Sequence, residues 1–215
     1  MTISKGSPYG TPNVSLPLDA PVCVGDAGAA DAVVRGLAAG SATPVVGLVG
    51  GDLCRTLGGR PAGTPAQTAA AVARLNGRAH DAAAFPVDLL VVRLDDGDER
   101  IAVAHVVARN RTWTRVWAVG NAAWLGGWNP WPRAHPGDAK ADLIDATLRL
   151  GDVLKVRARL PLGAHMPHPS ITERRRTFHA VDFGRRLDVW IDGRRAGPAT
   201  RIDVTLRPDA ITVYV

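Results

Sequence analysis

Hydrophobic positions fall into two textures that change near residues 78–86. Residues 1–20, rich in Gly, Pro, Ser and Thr without a period, read as a loose arm. Pro21-Val22-Cys23-Val24 then reads as a short buried strand and Gly25-Asp26-Ala27-Gly28 as a turn. Ala29 to Leu37 carries helix formers with Val33, Val34 and Leu37 on one face. Val45–Val49 is a second apolar strand, Gly50-Gly51 a second turn, and Asp52 the cap of a short helix through Leu57. A third helix is expected over Pro65–Leu75. This rhythm predicts an α/β layer with a parallel sheet over residues 21–80. From residue 87 the runs shorten. Val87–Leu94 and Ile101–Ala108 flank Asp95-Asp96-Gly97-Asp98, a hairpin signal. Further β-type segments follow at 115–119, 143–148, 171–178, 187–191, 201–206 and 211–215, with one helix-compatible interruption at 152–160. Closely spaced strands predict an antiparallel sandwich or barrel over residues 87–215. The expected fold class is a small α/β segment followed by a larger antiparallel β-sandwich domain.

Composition supports a folded chain. With 46% apolar and 21% charged residues, a 215-residue chain has material for a real core. Pro86 and Asp88 break the best candidate for a spanning helix, and the first residues carry no signal-peptide pattern. Cys23 and Cys54 sit in apolar surroundings and read as small buried hydrophobes, so a cytoplasmic location is expected. The net charge of +6 is almost all arginine, since lysine stands only at 5, 140 and 155. A basic balance favours an anionic partner without choosing among phosphate ligand, lipid head group and nucleic acid.

The two glycine turns place backbone N–H groups at helix starts, where an anion is welcome, but neither matches a Walker loop or a dinucleotide fingerprint. Five of six tryptophans (113, 117, 124, 128 and 131) gather around Gly126-Gly127. Core and loop packing is the main expectation for them, and base stacking beside Arg111, Arg115 and Arg133 the alternative. Asp138 and Asp142 can converge on a hard cation such as Mg²⁺, or be solvated loop acids. His165 and His168 bracket Met166-Pro167 without the further ligands zinc would need. Asp192-Gly193 reads as a hairpin turn.

Taken in order, these fragments resemble the bacterial diacylglycerol kinases, relatives of the sphingosine kinases. Gly126-Gly127, Pro132 to Asp138 and Asp142 resemble the family's loop of paired glycines, proline and aspartates. Leu160 to Pro169 resembles its histidine–proline segment, Val189 to Gly193 its Asp-Gly turn, and Arg207 to Ala210 its last turn. The resemblance covers residues 21–60 and 87–215. It implies a truncated α/β nucleotide-binding domain and a lipid-kinase β-sandwich with the active site between them. It also implies phosphoryl transfer from ATP, with Mg²⁺, to the hydroxyl of a lipid or lipid-like molecule. On this resemblance Gly25, Asp26 and Gly28, with Gly50, Gly51 and Asp52, stand on the ATP-phosphate turns. Asp138 and Asp142 stand on the Mg²⁺-associated loop, and Asp192 on the general base.

Several residues depart from the family pattern. Ala27 and Ala29 stand in place of aspartate and threonine in the first turn, and Leu48 and Val49 in place of Gly-Thr before the second. Ala139 and Ala141 replace Gly and Leu, and Arg194 replaces the glutamate after Asp192-Gly193. These departures favour an alternative in which the fold is kept without catalysis and the interdomain cleft binds a hydrophobic ligand or a protein partner. The remaining partner expectations are peripheral contact with an anionic membrane and a homodimer, with nucleic acid trailing.

Overall fold

The computed structural model describes residues 9–60, 63–77 and 80–215. Its elements are β1 (Thr11–Val14), β2 (Val22–Val24), α1 (Gly25–Ala38), β3 (Val45–Val49), α2 (Gly51–Thr56), α3 (Pro65–Asn76), β4 (Ala82–Leu94), β5 (Arg100–Ala102), β6 (His105–Arg109), β7 (Arg115–Gly120), β8 (Ala141–Thr147), α4 (Leu150–Arg159), β9 (Ile171–Arg176), β10 (Phe178–Ile191) and β11 (Arg194–Tyr214). Most strand pairs are antiparallel; the parallel ones are β2 with β3 and β3 with the end of β11.

The expected strand–helix–strand–helix start is present and built as a layered unit. Val46 and Leu48 of β3 pack with Ala29, Val33, Leu53 and Cys54 of α1 and α2 on one face. Val49 packs on the other face with Leu75 of α3 and Leu16. Alternation along one strand thus buries both faces, as a covered parallel sheet requires. Helix α3 is started by a complete capping box, Thr64 with Gln67, and by Pro65 in its first turn.

Two expectations about the N-terminal part are corrected. Residues 9–20 are not a loose arm: β1 pairs with β4 and Leu16 is buried. Helix α1 begins at Gly25 instead of Ala29, because the chain enters the helix straight from β2, so the supposed turn is the first helical turn.

In the β-rich part, β6, β7 and β8 bury both faces. Val106, Val119 and Leu143 point into one core, while Val107, Ala118 and Ile144 point beneath α4 into another. The long strands join this part to the α/β layer. β11 pairs with β10 and β4, then turns parallel to β3 at Thr212–Tyr214. A register shift between Arg207 and Ile211 accommodates the turn, with Asp209 at φ +48°. There the Asp209 N–H donates to Asp88 Oδ1 at 2.9 Å and the Ala139 N–H to Asp88 Oδ2 at 2.8 Å. Asp88 is fully buried, so a carboxylate inside β4 ties the bulge to the loop before β8. Among the described residues, no helix is long and apolar enough to cross a membrane.

Candidate functional site

Both glycine turns lie at the C-terminal ends of parallel strands, where open α/β sheets place ligands. Gly25 follows β2 with φ +72°, and Gly50 and Gly51 follow β3 with φ +67° and +91°. The backbone reversal at Gly51 brings the second turn against the first. A Cβ on Gly51 would lie 2.4 Å from Asp26 Oδ1, a distance no side chain permits. In that contact the N–H of Asp52 donates to Asp26 Oδ2 at 2.7 Å and that of Leu53 to Oδ1 at 3.0 Å. The cap of α2 is therefore Asp26, 26 residues upstream, and not Asp52 as the sequence suggests.

Released from capping, Asp52 faces outward into a shared cluster. His105 Nε2, at the start of β6, donates to Asp52 Oδ2 at 2.9 Å. The Gly126 N–H donates to both Asp52 oxygens, at 2.9 and 3.0 Å. Asp192 follows β10 with φ +47°, and its carboxylate accepts the backbone N–H groups of Val103, Ala104 and His105 at 2.8–3.0 Å. Four acid or base groups from four distant segments thereby meet, with Asp192 locking the turn that carries His105.

Their protonation reflects this crowding. Burial, then the Asp192 carboxylate, pushes Asp26 up to about 6, against the two backbone N–H bonds and the His105 charge. Burial also raises Asp192, although His105 and the three N–H donors oppose it. Burial works against charge on Asp52 and His105 as well. Their mutual hydrogen bond and charges prevail, holding Asp52 below the ordinary carboxylate value and His105 above that of free imidazole. One oxygen each of Asp26 and Asp52 and one His105 nitrogen lie within 4.8 Å of one another, a donor set suited to a divalent cation.

The other predicted acids gather elsewhere. Strand register places Asp142 opposite Arg175. The Arg175 guanidinium bonds both Asp138 and, at 3.3 Å, Asp142. A cation at that loop would meet an arginine charge already in place. Among the described residues, no hydrogen bond or ion pair joins this group to the Asp192 cluster. Gly28 lies inside α1 with its nearest would-be Cβ contact at 3.8 Å, so neither space nor backbone demands glycine there.

The Gly126-Gly127 loop links the cluster to an apolar cavity. Arg55 Nη1 donates to Gly126 O at 3.2 Å and the Ala123 N–H to Thr56 Oγ1 at 3.0 Å, fastening the loop to α2. On its other side Leu125, Trp128 and Trp131, with Val153 and Val156 of α4 and with His165, line a cavity of about 60 Å³. Both ring nitrogens of His165 are buried without a hydrogen-bond partner, and burial lowers its pKa, so it sits there as neutral imidazole. The tryptophans are engaged internally. Trp117 and Trp131 are core residues, and Arg55 lies over Trp124, Arg109 between Trp113 and Trp190, and Arg157 by Trp113 and Trp128.

His105 carries no functional signal in the sequence, because a histidine inside an apolar strand run reads as core and its partner Asp52 is 53 residues away. Asp88 did carry a signal, a lone carboxylate within Val87–Leu94.

No protein-family model and no curated protein matches the sequence. Solved structures do. A Bacillus anthracis str. Sterne protein assigned as a diacylglycerol kinase superposes with a TM-score of 0.62 at 14% identity, over 89% of this chain and 76% of its own. A second structure under the same assignment gives 0.61 at 14% identity, with the same coverage. A third gives 0.51 at 15%, over 79% of this chain and 66% of its own. At such identity the likeness establishes the fold: this chain has a diacylglycerol-kinase-like fold.

Proposed function

We propose that this protein transfers a phosphoryl group from ATP, in complex with a divalent cation, to the hydroxyl of a lipid-like molecule. The observation that carries this reading is the meeting of Asp26, Asp52, His105 and Asp192 at the strand ends of a diacylglycerol-kinase-like fold, one loop away from an apolar cavity. A charged centre beside an apolar hollow suits an amphiphilic acceptor whose hydroxyl must reach a phosphate, although at about 60 Å³ the hollow takes a few methylenes and not a whole acyl chain.

The residues constrain how ATP would enter. The two N–H groups at the start of α2 are given to Asp26, so they are not a free phosphate cradle. Three carboxylates repel a bare triphosphate; a divalent cation held by Asp26, Asp52 and a neutral His105 would offset two of those three charges and offer the phosphates a positive centre. The donor set, two carboxylates and an imidazole, favours Mn²⁺ at least as well as the Mg²⁺ implied by the resemblance. Arg175 already answers the charges of Asp138 and Asp142, which supports a cation at this cluster over one at those aspartates. ATP supplies the phosphoryl group and the cation the charge neutralisation. Asp192 is the base in this reading, and burial makes its carboxylate more basic than an exposed one.

The test is transfer of radiolabelled phosphate from ATP into a chloroform-soluble product, with diacylglycerol in mixed micelles and Mg²⁺ or Mn²⁺ present. Label should appear with the wild type and fall by at least about 100-fold in Asp192→Asn, the usual size of a general-base contribution. Undiminished transfer in that variant removes Asp192 from the role. No transfer to any lipid alcohol, with no effect of ATP on melting, sinks the whole reading and leaves the hydrophobic-ligand or protein-partner alternative.

A further inference from the structure

Helix α4 carries apolar side chains on two sides. Val153 and Val156 point down into the core and line the cavity. At 3.6 residues per turn, Leu150, Leu154 and Ala158 form a second stripe, centred roughly 130° around the helix from the buried one. Leu150 is 68% and Leu154 72% exposed, and Leu162, in the turn after the helix, is 83% exposed. Seven large apolar side chains are exposed among the described residues, and three of them fall within these thirteen positions. This is a concentration and not the scatter expected of any surface. Arg149, Lys155, Arg157 and Arg159 are exposed around the stripe. The one acid of the helix, Asp152, is 3.4 Å from Lys155.

We propose that the outward face of α4 and the turn through Leu162 dock this protein on an anionic lipid bilayer. Leucines set between long cationic side chains are the pattern of an interfacial helix. The apolar tips enter the acyl boundary while lysine and arginine stems snorkel to the head groups. A protein partner is the weaker match. The leucines stand exposed along one helix with cations between them, which matches a charged lipid surface better than an apolar protein segment. Charge complementarity therefore selects a negatively charged membrane surface. Docking here places the bilayer on one side of α4 and the apolar cavity on the other. The inference stands whether or not phosphoryl transfer occurs.

The experiment is co-sedimentation of the full chain with phosphatidylcholine vesicles, with and without phosphatidylglycerol, at low and high salt. Leu150→Ser/Leu154→Ser/Leu162→Ser and Lys155→Glu/Arg159→Glu variants are run alongside, with melting curves to confirm folding. All these side chains are exposed, so melting should hold. The wild type should bind the anionic vesicles, and salt should weaken the binding. The leucine variant should lose at least about tenfold in partitioning, and the charge variant should lose its preference for phosphatidylglycerol. Wild-type chain that stays in the supernatant with every vesicle overturns the proposal. So does a folded leucine variant that binds as well as wild type, or a wild-type dimer that the leucine substitutions convert to monomer.

Discussion

The clasp between the two glycine turns makes an unusually direct prediction, because two glycines that look alike in sequence should respond oppositely to alanine. At Gly51 the φ of +91° costs an L-residue about 1–2 kcal/mol. The new Cβ would also lie 2.4 Å from Oδ1 of Asp26 and 2.9 Å from its backbone N, so the carboxylate must leave. Leaving breaks the bonds from the Asp52 and Leu53 N–H groups, each about 1–3 kcal/mol when a buried partner is stranded. Gly51→Ala should therefore cost about 3–8 kcal/mol, a fall in Tm of roughly 6 °C or more for a chain this size. At Gly28 the nearest atom to an added Cβ is 3.8 Å away and the residue lies in α1. Gly28→Ala should gain about 0.5–1 kcal/mol by restricting the unfolded chain. Differential scanning fluorimetry of the two variants against wild type is enough. If Gly51→Ala melts within about 2 °C of wild type, or Gly28→Ala is the more damaging, the clasp is not as described.

Further expectations concern charge and metal. Asp26 ionises less readily in the folded state than in the unfolded chain, so it favours folding while protonated and that contribution is lost as pH rises from about 4 to about 6. His105, raised above free imidazole, contributes below about 6.5 and loses its contribution as pH climbs through its folded-state value. Denaturant titrations should place maximum stability on the acid side of neutral, and Asp26→Asn should flatten the limb between about pH 4 and 6. Asp88→Ala, which strands the N–H groups of Ala139 and Asp209, should cost at least about 3 kcal/mol by urea unfolding. Mn²⁺ should raise Tm more than Mg²⁺, and Asp52→Asn should abolish either shift.

Periodicity made the start of the fold legible. β2, β3, α2 and α3 lie within a residue or two of their expected positions, because short apolar runs bounded by glycine admit few readings. What periodicity does not carry is partnership. Leu16 and the β1 pairing lie in a stretch whose composition resembles a linker, and only β4 gives it an edge to join. The union of Asp138 and Asp142 by Arg175 depends on the β8–β9 register, which no local pattern specifies. The same holds for His105. Its neighbours Val106 and Val107 mark a strand, and its chemistry comes from Asp52 and Asp192, which reach it through tertiary structure. Gly28 is the converse case, chemistry expected from a glycine pattern that the backbone does not require.

If the proposed function holds, the Asp26–Asp52–His105 cluster binds a cation-complexed nucleotide. Calorimetric titration of the protein with ATP and Mn²⁺ or Mg²⁺ tests it most directly. Saturable binding by wild type, lost in Asp52→Asn and kept in Asp138→Asn, is the predicted result. No heat at millimolar nucleotide, or binding that survives Asp52→Asn and disappears in Asp138→Asn, would contradict it.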